Sequence, residues 1–120
     1  MNTIDIGRIG QEYVLRYLLD NGYIILKENW KKWGFEVDII AQQAENIIFC
    51  EVKMRKGSFY QDFDQISECQ VQRLLRAGDL FLSDCADEHD LRIDFFCLQY
   101  DERTMEIVSF QHFTDIVEAW

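Results

Sequence analysis

Two hydrophobic segments joined by a short polar turn constrain the fold of this chain more than any other feature. Residues 35–42 (FEVDIIAQ) alternate between apolar and polar side chains, residues 47–56 (IIFCEVKMRK) begin as an apolar run, and QAEN lies between them. Alternation is typical of a half-buried β-strand, and a short apolar run is consistent with a strand buried on both faces. The pattern therefore predicts an antiparallel hairpin in a covered sheet.

The register of this hairpin determines which charged residues meet. Pairing across the turn places Asp38 opposite Glu51, and Glu36 opposite Lys53, on one face. The other face is then wholly apolar, and a slip of one residue would press charges against it, so the hydrophobic pattern favours this register. That apolar face consists of Val37, Ile39, Ala41, Ile48, Cys50 and Val52.

Two carboxylates in directly opposed positions repel each other and need a compensating partner. Either one carboxyl of Asp38 and Glu51 holds a proton, or a cation lies between them. Two hard oxygen ligands that leave other positions to water and phosphate suit Mg²⁺, with Mn²⁺ as a substitute. Lys53 could then orient a water molecule or hold a phosphate. A carboxylate pair with an adjacent ammonium group is suited to metal-assisted phosphodiester hydrolysis.

A purely structural interpretation of the same residues is also open. Glu36 and Lys53 could form an ordinary cross-strand ion pair, and Asp38 could be solvated at the end of the sheet.

The remaining periodicities predict an α/β fold in one domain, residues 1–120, with a mixed sheet flanked by helices. Apolar residues at helical spacing indicate helices over residues 6–19, 71–82 and 113–120. Further strands are expected at residues 23–29, 91–100 and 104–110. The expected order is α-β-β-β-α-β-β-α.

The composition predicts a soluble, cytoplasmic protein with no membrane partner. The first residues lack a basic region followed by an apolar one, and no apolar run is long enough to span a bilayer. The four cysteines include no Cys-x-x-Cys pair, which favours reduced thiols over zinc or disulfides.

The formal net charge of -10 argues against a polyanionic partner, but the charge is unevenly distributed. Residues 31–56 carry five basic and four acidic side chains, whereas residues 57–120 carry four and fourteen. The hairpin is expected to gather basic side chains at one end of the sheet, where they could bind a nucleic-acid backbone weakly or with the help of a basic protein partner. These residues are Lys31, Lys32, Lys53, Arg55 and Lys56.

Two groups of aromatic residues allow two interpretations each. Trp30 and Trp33 flank Lys31 and Lys32, so they could stack on exposed bases, or they could pack on the sheet or the first helix. The aromatic side chains of the loop at residues 57–64 could contact substrate or cover the core.

Outside the hairpin, the sequence contains few candidates for catalysis. His89 and His112 match no nucleophile-base pattern and no metal pair, so surface positions are expected for both. Arg92 and Asp94 alternate on a predicted strand and are expected to form a structural ion pair.

The hairpin residues resemble a known nuclease signature. Asp38, twelve residues, and then Glu51-Val52-Lys53 resemble the PD-(D/E)XK motif. More specifically, GRIGQEYVLRYLLDNGYIIL, EVDIIA, FCEVKMR and RLLRAGDLFL resemble, in this order, landmarks of the YraN family, proteins predicted to be endonucleases related to Holliday-junction resolvases. The resemblance implies a restriction-endonuclease-like fold with Mg²⁺ held by Asp38, Glu51 and the backbone carbonyl of Val52, and with Lys53 as the catalytic lysine.

Three positions depart from the pattern of that family. Gln11 stands where the family typically has a glutamate on the first helix, and Gln70 where it usually has a lysine on the second. Phe35 occupies the place of the glycine that usually precedes Glu36, which itself matches the family. Metal affinity or the choice of substrate could differ because of these changes.

Two functions are therefore expected as alternatives. The first is a Mg²⁺-dependent endonuclease that acts on structured or branched DNA. The second is a nuclease-like fold with reduced activity that binds nucleic acid or a protein partner. A homodimer is expected only by analogy with resolvase-like nucleases.

Overall fold

The computed structural model describes residues 3–57 and 67–119, in which a five-stranded mixed sheet lies between two helices. The helices are α1 (Thr3–Asp20) and α2 (Glu68–Ser83), and a short 3-10 helix, Ile116–Ala119, follows the last strand. The predicted α/β fold and element order are confirmed, although the closing helix is of the 3-10 type. The strands, in their spatial order, are β1 (Ile24–Lys32), β2 (Phe35–Gln43), β3 (Asn46–Lys56), β4 (Asp90–Tyr100) and β5 (Ile107–Phe113).

The connections explain why the central strands are so apolar. Strands β1, β2 and β3 form an antiparallel meander, β3 pairs in parallel with β4 through the crossover that contains α2, and β5 returns antiparallel to β4. A parallel pair needs such a crossover, and helices then cover the sheet. The buried stretches of β3 and β4 therefore alternate between two cores, one on each face of the sheet.

Each helix packs on its own face of the sheet. On one face, Val14 and Leu18 of α1 pack on Ile39, Cys50 and Phe96. On the other face, the buried residues of α2 pack on the opposite side chains of the same strands. The core on the α2 face contains Val37, Ile40, Ile47, Phe49, Val71, Leu74, Ala77, Ile93, Phe95, Cys97 and Ile116.

Strands β1 and β5 differ in their bounds from the predicted strands. Strand β1 continues to Lys32, so only Trp33 and Gly34 form the turn before β2. Strand β5 begins at Ile107, because Asp101 organises a longer turn by accepting the backbone N–H of Arg103. Most of the predicted aromatic loop, residues 58–64, and Trp120 lie outside the described residues. Within the described residues, no helix is long and apolar enough to cross a membrane.

Candidate functional site

Strands β2 and β3 separate where the candidate residues lie, beyond the pair Ile39–Cys50, and we call this point the fork of the sheet. The predicted register of β2 and β3 is confirmed, but their pairing ends at Ile39–Cys50. Strand β3 continues beside β4 as far as Lys56–Tyr100. The expected pairs Asp38–Glu51 and Glu36–Lys53 are therefore not part of the ladder, because β2 has already separated from β3.

The alternation of side chains between the two faces of β2 is broken at Asp38. The prediction that Val37 and Ile39 share a face is therefore wrong. Val37 belongs to the core on the α2 face, whereas Ile39 belongs to the core on the α1 face. The neighbouring strand is irregular at the same level: Glu28 pairs with Ile39 and Trp30 with Val37, while Asn29 between them has a φ of 50°. A left-handed residue breaks the two-residue alternation of a strand.

Asp38 is fixed to β3 by its side chain where the ladder has ended. The backbone N–H of Val52 donates a hydrogen bond of 2.9 Å to Asp38 Oδ2. Burial raises the pKa of Asp38, and this hydrogen bond and the charge of Lys53 act against the shift. The carboxyl group lines a depression of about 490 Å³ beside α1, together with Arg8, Gln11 and other residues.

Glu51 lies on the next strand and opens toward the other helix. Its side chain is 18% exposed and lies 3.8 Å from Lys53, measured from Oε1 to Nζ. Burial, followed by the charge of Asp38, raises the pKa of Glu51 to about 7, while Lys53 lowers it. Glu51 lines a smaller depression of about 110 Å³ beside α2. The two carboxyl groups are thus close enough for their charges to interact. However, Asp38 lines the depression beside α1 and Glu51 the one beside α2, so the prediction that both side chains share one face of the hairpin is wrong.

The donor atoms near the fork are oxygens, the type of ligand that a hard divalent cation binds. Among the described residues, no three His, Cys, Asp or Glu side chains cluster to form a metal site. The ligand set that the family resemblance implies is smaller, since it has two carboxylates and the carbonyl of Val52, and Mg²⁺ usually keeps several water ligands. Asp38 Oδ1 is left available by the Val52 hydrogen bond, and Glu51 carries a destabilised negative charge that a cation would stabilise.

The expected accessory residues differ in position. Gln11 lines the depression of Asp38, and Glu36 and Gln70 line that of Glu51. Gln70 also has a structural role at the start of α2, because its Oε1 accepts the backbone N–H of Ser67 while Ser67 Oγ accepts the backbone N–H of Gln70. This reciprocal capping box stabilises the first turn of the helix.

The predicted basic end of the sheet is divided between the two arms of the fork. The lysines of β1 lie near the β1–β2 turn, whereas Lys53, Arg55 and Lys56 continue along β4. Four of the lysines form ion pairs with carboxylates, which reduces the local positive potential. The pairs are Lys31–Glu36, Lys32–Asp84, Lys53–Glu51 and Lys56–Glu102.

The two tryptophans have different environments. Trp30 packs against Phe49 and Phe81, with ring centroids 6.2 and 5.7 Å apart, so for this residue the core interpretation is confirmed. Trp33 is 80% exposed at the β1–β2 turn. Of these two tryptophans, Trp33 is the one available to contact a partner.

A buried polar network on the α1 face was not predicted from the sequence. Asp94, which is 0% exposed, accepts hydrogen bonds from Arg92, from His112 Nε2 at 2.7 Å and from the backbone N–H of Asp115. Tyr17 Oη lies 3.0 Å from His112 Nδ1 and joins α1 to this network. The Arg92–Asp94 pair is as expected, but the surface position predicted for His112 is wrong. No local pattern indicates this contact, since residues 17 and 112 are far apart in sequence.

Arg73 was also missed. It lines the depression of Glu51, donates from Nη2 to the carbonyl of Gly34 at 3.2 Å, and lies with Cζ 5.3 Å from the centroid of the Phe35 ring. Its position in the second helix carried no signal of this role, because the contacts come from the β1–β2 turn.

The structure defines a mixed α/β protein in which Asp38, Glu51 and Lys53 lie on neighbouring strands, at the level where β2 separates from β3. A family model described as Uncharacterised protein family UPF0102 matches residues 10–98, and the chain belongs to this family. It is 33% identical over 119 residues to a UPF0102 protein of Treponema pallidum subsp. pallidum, with 93% of this chain and 94% of that protein covered. It is 36% identical over 105 residues to a UPF0102 protein of Synechococcus sp., with 82% and 77% covered.

Proposed function

We propose that this protein is a Mg²⁺-dependent endonuclease that hydrolyses phosphodiester bonds of structured or branched DNA. The observation that carries the proposal is the proximity of Asp38 and Glu51, two largely buried carboxyl groups on neighbouring strands, beside the ammonium group of Lys53. Such a combination of perturbed acids and a cation is characteristic of functional sites.

Each residue has a defined task in this proposal. Asp38, Glu51 and the carbonyl of Val52 would hold Mg²⁺, with Mn²⁺ as a substitute. The bound ion would supply a Lewis acid for the phosphoryl oxygen and lower the pKa of a water ligand. Lys53 orients the attacking water or stabilises the charge that develops on the phosphate, and its ion pair with Glu51 holds its ammonium group at the site.

The alternative proposal is a binding module with reduced or no hydrolytic activity. The observation that favours it is the ion pairing of four lysines at the candidate nucleic-acid surface, on a chain whose net charge is -10. Exposed ion pairs contribute little energy and can exchange partners, so this surface could still bind phosphate, but only weakly and with strong salt dependence.

The test compares hydrolysis of flap, fork, four-way and single-stranded DNA, with RNA counterparts, in Mg²⁺, Mn²⁺ or EDTA. The variants are Asp38→Asn and Lys53→Ala, with Asp79→Asn and Lys27→Ala as matched controls, since Asp79 and Lys27 are exposed and lie outside both depressions.

Metal-dependent hydrolysis that both site variants abolish and both controls retain would support the endonuclease. Hydrolysis that survives Asp38→Asn at the wild-type rate would contradict it. Absence of hydrolysis, together with no heat of Mg²⁺ or Mn²⁺ binding in calorimetry, would also contradict it, and retained nucleic-acid binding would then support the module.

A further inference from the structure

The depression beside α2 contains the side chain of Arg73, which has no role in the proposed hydrolysis. The described residues that line it come from the start of β2, from β3 and from α2: Phe35, Glu36, Glu51, Gln70, Arg73 and Leu74. Arg73 is the one basic side chain among these described residues, and it shares the depression with Glu51.

Two uncharged groups hold the guanidinium of Arg73 in place. The carbonyl of Gly34 accepts a hydrogen bond from Nη2, and the ring of Phe35 lies beside Cζ. Gly34 has a φ of 81°, a conformation that favours glycine, so the turn that presents this carbonyl depends on that residue. A guanidinium carries five N–H donors, and these contacts leave Nε and Nη1 available.

Arg73 differs in this respect from the lysines around the fork. Lys31, Lys32, Lys53 and Lys56 each pair with a carboxylate. Within the part of the chain that the structure describes, no ion pair of Arg73 is found. Among the described residues, its guanidinium thus has no carboxylate within ion-pair distance, and neutral contacts orient it in advance.

We propose that Arg73 binds a backbone phosphate of nucleic acid in this depression. This phosphate would be adjacent to the phosphodiester group that is hydrolysed beside Glu51. The proposal rests on the proposed function for the kind of ligand and adds a site on the α2 side of the fork. Arginine suits this role because its planar guanidinium group can donate to two phosphate oxygens at once, which a lysine cannot do in the same way.

Gln70 supplies a second donor at the same place. Its Oε1 is occupied by the backbone N–H and the hydroxyl group of Ser67, so its Nε2 is the group of this side chain that can donate to a ligand. Gln70 and Arg73 lie three residues apart on α2 and therefore on one face of the helix. Two acids lie beside them in this lining: Glu36 is exposed and paired with Lys31, and Glu51 is paired with Lys53.

The test measures binding rather than hydrolysis. A fluorescently labelled four-way DNA junction and a single-stranded oligonucleotide are titrated in EDTA at several KCl concentrations. The proteins are wild type, Arg73→Gln, Arg73→Lys and the control Arg76→Gln, which removes the same charge from the same helix but lies outside the depression. Thermal unfolding of each protein establishes that it is folded.

Arg73→Gln is expected to weaken binding about fivefold to twentyfold more than Arg76→Gln, and to reduce the slope of log K against log salt by about 0.7 to 0.9, the value for one phosphate contact. Arg73→Lys is expected to give an intermediate affinity, since it keeps the charge but loses the contacts with Gly34 and Phe35.

Equal affinities and slopes for Arg73→Gln and Arg76→Gln would overturn the proposal, as would failure of the wild-type protein to bind either DNA. Because no step of this test requires metal or hydrolysis, its result is separate from that of Asp38→Asn. An inactive protein whose binding depends on Arg73 would support this site while contradicting the endonuclease.

Discussion

The backbone N–H of Val52 donates to the carboxylate of Asp38 at the level where β2 and β3 no longer pair. The side chain thus replaces a missing ladder contact and keeps a charged oxygen near Glu51. Since that contact uses one oxygen only, the carboxylate can act as a structural acceptor and as a ligand at the same time.

The charge of Glu51 should make the protein less stable as the pH rises. The folded pKa of about 7 lies above the ordinary value, so the folded state binds the proton more tightly than the unfolded state. The free energy of unfolding should fall between about pH 4.5 and pH 7, by at most about 3 kcal/mol. Urea unfolding in EDTA at pH 5 and pH 8 measures this change.

Glu51→Gln should remove this pH dependence and be more stable than wild type at pH 8. Asp38→Asn should remove only part of it, because burial is the larger cause of the shift in the pKa of Glu51. The exposed Glu36→Gln is the control and should leave the dependence intact. A wild-type protein with the same stability at pH 5 and pH 8 would contradict the pKa assigned to Glu51.

Mg²⁺ should stabilise the folded protein if both acids bind it. At pH 8, a concentration ten times the Kd should add about 1.4 kcal/mol to the free energy of unfolding. The effect should be smaller at pH 5.5, where protons compete for Glu51, and absent in Asp38→Asn and Glu51→Gln. Differential scanning fluorimetry measures it, with Asp79→Asn as the variant that should respond like wild type. An equal response of all four proteins would refute a site at the fork.

Loss of Asp94 should be among the most destabilising changes. Asp94→Ala leaves Arg92, which is mostly buried, without its carboxylate, and breaking such a pair costs about 3 to 5 kcal/mol. Chemical denaturation at pH 7 should show this loss, while Asp90→Ala, an exposed change on the same strand, should stay within about 0.5 kcal/mol. Similar stabilities of the two variants would show that the network contributes little.

The same network should determine stability in acid. Burial alone would raise the pKa of Asp94, but hydrogen bonds from His112, Arg92 and the backbone of Asp115 outweigh it and hold the pKa below its ordinary value. A lowered pKa gives stability that is present above the unfolded pKa, near 3.9, and is lost as the pH falls through the folded value. The acid unfolding of Asp94→Asn should therefore have a weaker pH dependence than that of wild type below about pH 4.

Two glycines of α1 should respond oppositely to alanine. A Cβ at Gly7 would meet no atom within 4 Å, so Gly7→Ala should stabilise the protein by about 0.5 to 1 kcal/mol through helix propensity. A Cβ at Gly10 would lie 2.5 Å from Met54 Cγ and 2.7 Å from Sδ, and overpacking of this kind costs about 1 to 3 kcal/mol. Denaturant midpoints measure both, and a Gly10→Ala protein as stable as Gly7→Ala would show that Met54 moves aside freely.

The sequence predicted the β2–β3 register correctly because turn length and alternation are local signals. It did not predict that the alternation of β2 is broken at Asp38, because this change accompanies a left-handed backbone at Asn29 on another strand. The candidate acids were found by their spacing. The position of the Arg73 side chain, in contrast, depends on a hydrogen bond to Gly34, which is distant in sequence. Local patterns thus identified the residues of the hairpin, and tertiary contacts determined which of their neighbours line the two depressions.

The bond between Tyr17 and His112 has a consequence for how the chain is made. The two residues are 95 positions apart, and the partner of the helix lies on the last strand. During synthesis, α1 emerges before the strands of the sheet, but its packing against Phe96 and Phe110 can be completed only after β4 and β5 have left the ribosome. Truncated nascent chains will therefore expose the aromatic side of α1, and the final native contacts form after translation of the last strand.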